Sequence, residues 1–463
     1  MSLSIILVSL LVTFLIGISI REKNGGIVNY YVGGRSKSSS SVTGSLVATA
    51  IGGSATLGLS GLAYAKGFPA IWWLFSASIS LLIFGLFWAK KVRAYEVFTL
   101  PEVLEKEYDS SSIKIASSFI IVIAWLGIIA AQMIAAGKIL YIVWPGYYEI
   151  SIILCAAIIL IYTLRGGQNS VIKTELFQFI LIFIGIILTL ILAYIKHGNL
   201  SARLLPEGHL NFPTNQEIGF REMFTYFLFV GTSFIVGPDI YSRIFSAKDQ
   251  KAAQRSILKS SFIIAVLAVL IILIGLYSKM ISPDIEQETS FQYLVINTAP
   301  VYLQGIIFAA LIAAFLSTSS ACILTSGIIL TNDILNPVLF KNRLSDEKKL
   351  LITKAMIIIC AIGSLITAIH VTKIIESLLF ALTVYTAGIV PPVILGFYKD
   401  KFRLNKYGAM TGLLIGCSSA LILKYMMLNR YLIYIFPVVC VMIFLVSWLV
   451  NGIAHKQGGR SLT

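Results

Sequence analysis

Apolar runs long enough to cross a bilayer recur from one end of this chain to the other, and that recurrence leaves few folds open to it. A hydrocarbon core ~30 Å thick is crossed by ~20 apolar residues in helical form. Thirteen candidate spans are counted, at roughly 2–20, 42–65, 69–89, 115–137, 149–164, 174–195, 223–240, 260–278, 300–332, 352–371, 375–398, 407–427 and 431–453. The loops between them are short and carry Gly, Pro and charge, and none is long enough to form a domain of its own. Of the 463 residues 57% are hydrophobic and 12% are charged. A soluble protein of this length has too little interior to hide that much apolar surface. The expected class is an all-α polytopic membrane protein with the lipid bilayer as its solvent. The first run lacks a basic leader and is followed, not preceded, by the basic segment Arg21–Lys23. It therefore reads as a retained span and not as a cleaved signal.

A net charge of +15 raises the question of a nucleic-acid partner. The distribution answers it, because the charges sit in short loops between apolar runs. Placing the first terminus outside puts 27 of the 36 Lys and Arg in the loops at 21–41, 90–114, 165–173, 241–259, 333–354 and 399–406 and in the tail. Basic loops are retained in the cytoplasm. The expectation is a multi-pass cell-membrane protein with its N-terminus outside and its C-terminus cytoplasmic. The five cysteines (Cys155, Cys322, Cys360, Cys417 and Cys440) lie inside apolar runs without metal-like spacing. They read as buried thiols acting as small hydrophobes.

Two runs are interrupted. The second contains Ile51-Gly52-Gly53-Ser54 near its middle, and the seventh carries Gly231-Thr232-Ser233 and then Gly237-Pro238. Glycine and proline weaken a helix and free backbone groups at membrane depth, which is tolerated only where those groups line a cavity or site. The two runs are five apart, so each can open a five-helix unit, the units having opposite orientation. Paired interruptions in corresponding positions point to an inverted-repeat secondary transporter. Glycine also serves close helix packing, so either one alone would say little.

The ninth run holds Ala313-Ala314-Phe315-Leu316-Ser317-Thr318-Ser319-Ser320-Ala321, four consecutive hydroxyls in a long uncharged stretch. Ala314, Ser317 and Thr318 stand at i, i+3 and i+4 and share a helix face. Hydroxyls with freed carbonyls can hold a hard cation such as Na+ without burying a formal charge. The alternative is that each hydroxyl bonds the carbonyl one turn back or joins two helices.

The segment Ala314-Phe315-Leu316-Ser317-Thr318, followed by Leu330-Thr331-Asn332-Asp333-Ile334, resembles the sodium:solute symporter family. So do Tyr31-Val32-Gly33-Gly34-Arg35-Ser36, Gly58-Leu59-Ser60-Gly61, and the Pro391-Pro392 run leading to Asn405-Lys406-Tyr407-Gly408-Ala409. The likeness runs from about residue 29 to 420 and looks nearest to the proline-transporter branch. It implies a LeuT-like fold: a lead helix with its cytoplasmic loop (1–41), a first five-helix repeat (42–195), an extracellular loop (196–222), a second repeat (223–398), and two trailing helices with a tail (399–463). It also implies a sodium site made by the carbonyls of Ala48, Ile51 and Ala314 and the hydroxyls of Ser317 and Thr318. A second cation site is known in some members. Here it would fall on Glu175 and Ser320, with a Glu175–Lys173 or Glu175–Arg165 ion pair at the membrane surface as the alternative.

The solute pocket is expected between the interrupted runs, from Thr49, Gly52, Ser54, Trp73, Gln132, Thr232, Ser233, Phe234, Tyr385 and Thr386. Amides of Gly52–Ser54 at a half-helix start would receive a carboxylate. For Trp73 and Tyr385 plain packing is the competing reading. Asp239 and Arg243 read as a gate or structural pair at the cytoplasmic end. The expected activity is sodium-coupled symport of a small organic solute, an amino acid such as proline or a small carboxylate, by alternating access. Proton coupling is the alternative. A channel would need a repeated filter, an enzyme would need convergent acid–base or metal groups, and an ATP-driven pump would need a P-loop. None of these patterns occurs.

Overall fold

The computed structural model describes residues 2–20, 26–145, 148–370 and 374–458, the side chains of 374–380 and 454–458 excepted. Arg21, Lys23, Lys373 and Arg460 of the charge count lie outside the described residues. Among those described the chain is helical, with one isolated bridge between Lys37 and Ala247. The principal helices are α1 (Ser2–Ile18), α2 (Ser39–Ala50), α3 (Leu59–Lys66), α4 (Trp72–Phe87), α5 (Ser111–Val143), α6 (Tyr148–His197), α7 (Pro238–Ser246), α8 (Gln250–Ile281), α9 (Val301–Ile329), α10 (Asp346–His370), α11 (Ile374–Gly396), α12 (Lys406–Tyr425) and α13 (Ile435–Gly458).

α6 has 50 residues, which as one straight rod would be ~75 Å long, more than twice a bilayer core. It turns at Gly167, whose φ of 52° and ψ of −136° leave the helical region. A Cβ there would lie 2.5 Å from the Tyr30 carbonyl oxygen, so the turn requires glycine on both counts. The runs 149–164 and 174–195 are its two arms. Among the described residues nine helical segments are long and apolar enough to cross a membrane, or ten when the bent pair of α2 and α3 counts as one. The count of thirteen rests in addition on the two arms of α6 and on the shorter apolar helices Ser2–Ile18 and Ala381–Gly396.

The two interruptions take different forms. α2 begins on Ser38, whose hydroxyl accepts the Ser41 amide. It ends at Ile51, and the chain bends by 62° before continuing through a π-helical turn, Ser54–Gly58, into α3. The seventh run stays within one segment, Phe220–Ser246, without a comparable bend. It winds into a π-helical turn at Tyr226–Gly231 and leaves helical geometry at Gly237, where ψ is 115°. The helix resumes immediately because Pro238 occupies the first position of α7, where its fixed φ suits the helix and its missing N–H costs nothing.

α9 is the central helix. In the segment that contains it, 94% of the most apolar window is buried, against 28% for α10 and for the segment around α13. It packs against α5, α6 and α1. Its face-to-face small residues and hydroxyls allow that enclosure. Large apolar side chains instead point outward around the bundle, among them Phe87, Ile123, Ile195, Phe262 and Trp448. Such an exposed belt suits lipid and not water.

Candidate functional site

The break in α2 lies directly against α9. Ser317 Oγ donates to the carbonyl of Ala48 at 2.7 Å and contacts that of Ala314 at 2.8 Å. Thr318 Oγ1 donates to the carbonyl of Thr49 at 2.8 Å and lies 3.2 Å from that of Ala314. Five uncharged oxygens thus converge from two helices, and fully buried Ile51 caps α2 beside them. The approach depends on Gly52, where an added Cβ would sit 2.5 Å from Thr318 Oγ1. The other two hydroxyls of the block turn back along their own helix, Ser319 to the carbonyl of Phe315 and Ser320 to that of Ser317. The block of four therefore divides. Two hydroxyls cross to the broken helix, and two follow the i−3 or i−4 habit of Ser in membrane helices. Neutral oxygens in this number suit a hard monovalent cation. Among the described residues no group of three His, Cys, Asp or Glu forms a metal site.

Beside this cluster is a small cavity of about 90 Å³. Thr49, Gly52, Ser54, Trp73, Gln132, Ser233 and Phe234 line it, and so does Thr318. Thr318 and Thr49 therefore belong to both the oxygen cluster and the cavity wall. Gln132 Oε1 accepts the Gly53 amide at 2.6 Å. One of the three amides expected to be open to a solute carboxylate is thus already capped by a side chain from α5. Trp125, Cys322 and Asp239 also line the cavity. Trp125, Ile128 and Gln132 at i, i+3 and i+7 form one face of α5, a spacing that could have added Trp125 from the sequence.

One side of the cavity rests on a buried ion pair. The guanidinium of Arg243, on α7, pairs with Glu175 Oε1, and both side chains are fully buried. Ser45 donates to Glu175 Oε2. Thr49 Oγ1 donates to Glu175 Oε1 at 3.0 Å, and Arg243 Nε reaches Ser45 Oγ at 3.2 Å. The network links α2, α6 and α7 through charge-assisted bonds. Around it the chain is stapled by backbone: the amide of Lys37 donates to the Ser246 carbonyl at 3.0 Å, and Arg93 Nε to the Ala247 carbonyl at 2.8 Å.

The sequence profile of the sodium:solute symporter family matches residues 30–416. The chain belongs to that family. This symporter is 25% identical over 435 residues to the osmoregulated proline transporter of Bacillus subtilis, across 88% of this chain and 85% of the relative. To the sodium/pantothenate symporter of Escherichia coli it is 26% identical over 417 residues, across 86% and 84%. The solved structure of a Na+-coupled sialic acid symporter in a substrate-bound outward-open state aligns with a TM-score of 0.83, at 18% identity, over 97% of this chain and 98% of that one. The fold is LeuT-like, and the chain is a multi-pass membrane transporter and not an enzyme.

Several sequence expectations need correction in this symporter. Thr232, Tyr385 and Thr386 do not line the cavity. Thr232 donates to the Leu228 carbonyl and Thr386 to that of Leu382, each one turn back on its own helix. Tyr385 donates to the Val236 carbonyl, and its ring packs edge-on to Trp125 at 4.8 Å, behind the wall. Glu175 pairs with neither Lys173 nor Arg165, because it faces the bundle interior, where Arg243 meets it. Ser320 does not bond to Glu175, since its hydroxyl is engaged by Ser317. Asp239 and Arg243 are not side-chain partners: Arg243 Nη1 reaches the backbone carbonyl of Asp239 at 3.2 Å, and Asp239 lines the cavity.

Proposed function

We propose that this symporter couples the inward movement of one sodium ion to uptake of a small organic solute, an amino acid such as proline or a small carboxylate. The ion's ligands are the carbonyls of Ala48, Ile51 and Ala314 and the hydroxyls of Ser317 and Thr318. The observation that carries the reading is the meeting of Ser317 and Thr318 with the carbonyls of Ala48 and Thr49 at the break, on a wall shared with the cavity. An ion there draws α9 and the broken helix together and so shapes the pocket before the solute arrives. That makes each ligand bind more tightly in the presence of the other, a coupling of typically ~1–3 kcal/mol.

The solute occupies the cavity between the broken helix and the seventh segment. Transport proceeds by rocking of the first repeat (42–195) against the second (223–398), with 1–41 leading, 196–222 outside and 399–463 trailing. The excess of basic residues in alternate loops supports an N-terminus outside and a cytoplasmic C-terminus. An inside-negative potential then favours delivery of the ion, by ~2.3 kcal/mol per charge per 100 mV. Glu175 is already matched by Arg243, which supports a single sodium and leaves Glu175 and Ser320 without a cation of their own. The proline and pantothenate symporters among the relatives support a carboxylate-bearing solute.

The test is uptake of labelled proline and pantothenate by proteoliposomes under an imposed sodium gradient, with potassium and pH gradients as controls. Sodium-specific accumulation that Ser317→Ala abolishes is the expected result. Uptake driven by a pH gradient alone would replace sodium with the proton.

A further inference from the structure

The charge in the cavity is one-sided. Its lining includes one carboxylate, Asp239, and no lysine, arginine or histidine. Asp239 stands in the first turn of α7, where the helix N-terminus favours a negative charge. Among the described residues no side chain hydrogen-bonds or ion-pairs with it. Arg243, one turn on, sends its guanidinium elsewhere: to Glu175, to the hydroxyls of Ser45 and Ser242, and to the backbone carbonyl of Asp239. Glu175 and Arg243, both fully buried, balance each other, so the negative charge of Asp239 is left over. Asp239 is partly exposed, and a carboxylate with no side-chain partner is open to a charge-assisted bond from a cation. Three aromatic side chains, Trp73, Trp125 and Phe234, line the same space, and aromatic faces attract cations. Of the donors an anion could use there, the Gly53 amide is taken by Gln132.

We propose that the transported solute carries a cationic nitrogen that pairs with the carboxylate of Asp239 inside this cavity. The class is therefore amines and zwitterionic amino acids, in preference to simple carboxylates or neutral polyols. This inference rests on the symport reading and narrows its solute. The sodium ligands proposed above are neutral oxygens that do not include Asp239, so the carboxylate is free for the solute. A charge-assisted bond to it is strong and directional.

The experiment uses the purified full chain, wild type, Asp239→Asn and Asp239→Glu. Melting temperature is followed first with sodium alone. It is then followed in saturating sodium with the standard amino acids, glycine betaine, choline, pantothenate and glucose in turn. Sodium-driven uptake of each stabilising compound is measured in proteoliposomes. A compound with a cationic nitrogen is expected to stabilise the wild type, with tenfold or greater loss of affinity in Asp239→Asn and partial retention in Asp239→Glu. Both variants should keep the shift produced by sodium alone, which also shows that they fold. The proposal is overturned if no compound with a cationic nitrogen stabilises the wild type, if pantothenate or glucose is preferred, or if Asp239→Asn binds its solute unchanged. Loss of the sodium-only shift in a folded Asp239→Asn also overturns it, because the carboxylate would then be a cation ligand. Should the wild type show no sodium-specific shift yet bind an ammonium compound through Asp239, the symport reading fails and this one stands.

Discussion

The hydroxyl of Ser317 donates to the carbonyl of Ala48 across 2.7 Å, joining residues 269 positions apart in the chain. Thr318 does the same for Thr49 at 2.8 Å. Two adjacent residues of α9 thus clasp two carbonyls of the last turn before the break in α2. A cation placed among these oxygens replaces weak clasps with stronger ones, so ion binding and helix closure become one event.

Ser317→Ala and Thr318→Ala are accordingly expected to keep the fold and lose the ion. Each removes a hydrogen bond whose net worth is about 1 kcal/mol, too little to unfold a bundle of this size. Sodium-specific thermal stabilisation should fall at least tenfold in apparent affinity for each. A titration in which both variants respond to sodium as the wild type does would sink the assignment.

The Glu175–Arg243 pair makes a prediction of opposite character. Both side chains are fully buried, so removing one partner strands the other charge, at about 3–5 kcal/mol. Glu175→Gln should lower the melting temperature markedly and reduce expression. Adding Arg243→Gln should recover part of that loss, because the stranded charge goes with it. Additive losses in the double variant would show that the two side chains act independently.

What the sequence displayed and what it hid follow from the range of each interaction. The spans were legible because apolar length is a local property, and the break was legible because Gly52 and Gly53 are adjacent. Ser317 and Thr318 stood out as hydroxyls in an uncharged run. Arg243 facing Glu175 was not legible, since 68 residues separate them and nearer partners offered themselves in Lys173 and Arg165. Asp239 was misread for a different reason. It was paired with Arg243, whose guanidinium instead reaches Glu175 and the backbone carbonyl of Asp239. Tyr385 and Thr386 show the limit of choosing residues by type, because a hydroxyl on a wall helix can be spent on a carbonyl of the bundle.

Gln132 should act on backbone as much as on solute. Its Oε1 caps the Gly53 amide at 2.6 Å, and Gln132→Leu would leave that amide buried and unpaired, at about 1–3 kcal/mol. Hydrogen exchange across 51–58 is expected to quicken in Gln132→Leu and to stay near wild type in Gln132→Glu, which retains an acceptor. Equal protection in all three proteins would mean that the cap contributes nothing to the break.

Gly52 offers the most direct test of close approach. An added Cβ would lie 2.5 Å from Thr318 Oγ1 and 2.8 Å from Gln132 Oε1, so Gly52→Ala must push both the Thr318 hydroxyl and the cap on the Gly53 amide aside. Each can move, since both are side-chain ends, and the protein should still fold. The oxygens would no longer converge, so uptake is expected to drop at least tenfold with sodium affinity falling in parallel. Gly363→Ala is the matched control. A Cβ at that position meets nothing within 4 Å, and alanine favours the interior of a helix by up to about 1 kcal/mol. The control should transport normally with equal or higher thermal stability. If Gly52→Ala transports as well as Gly363→Ala, the contact between the break and α9 is looser than these distances state, and the coupling must be sought elsewhere.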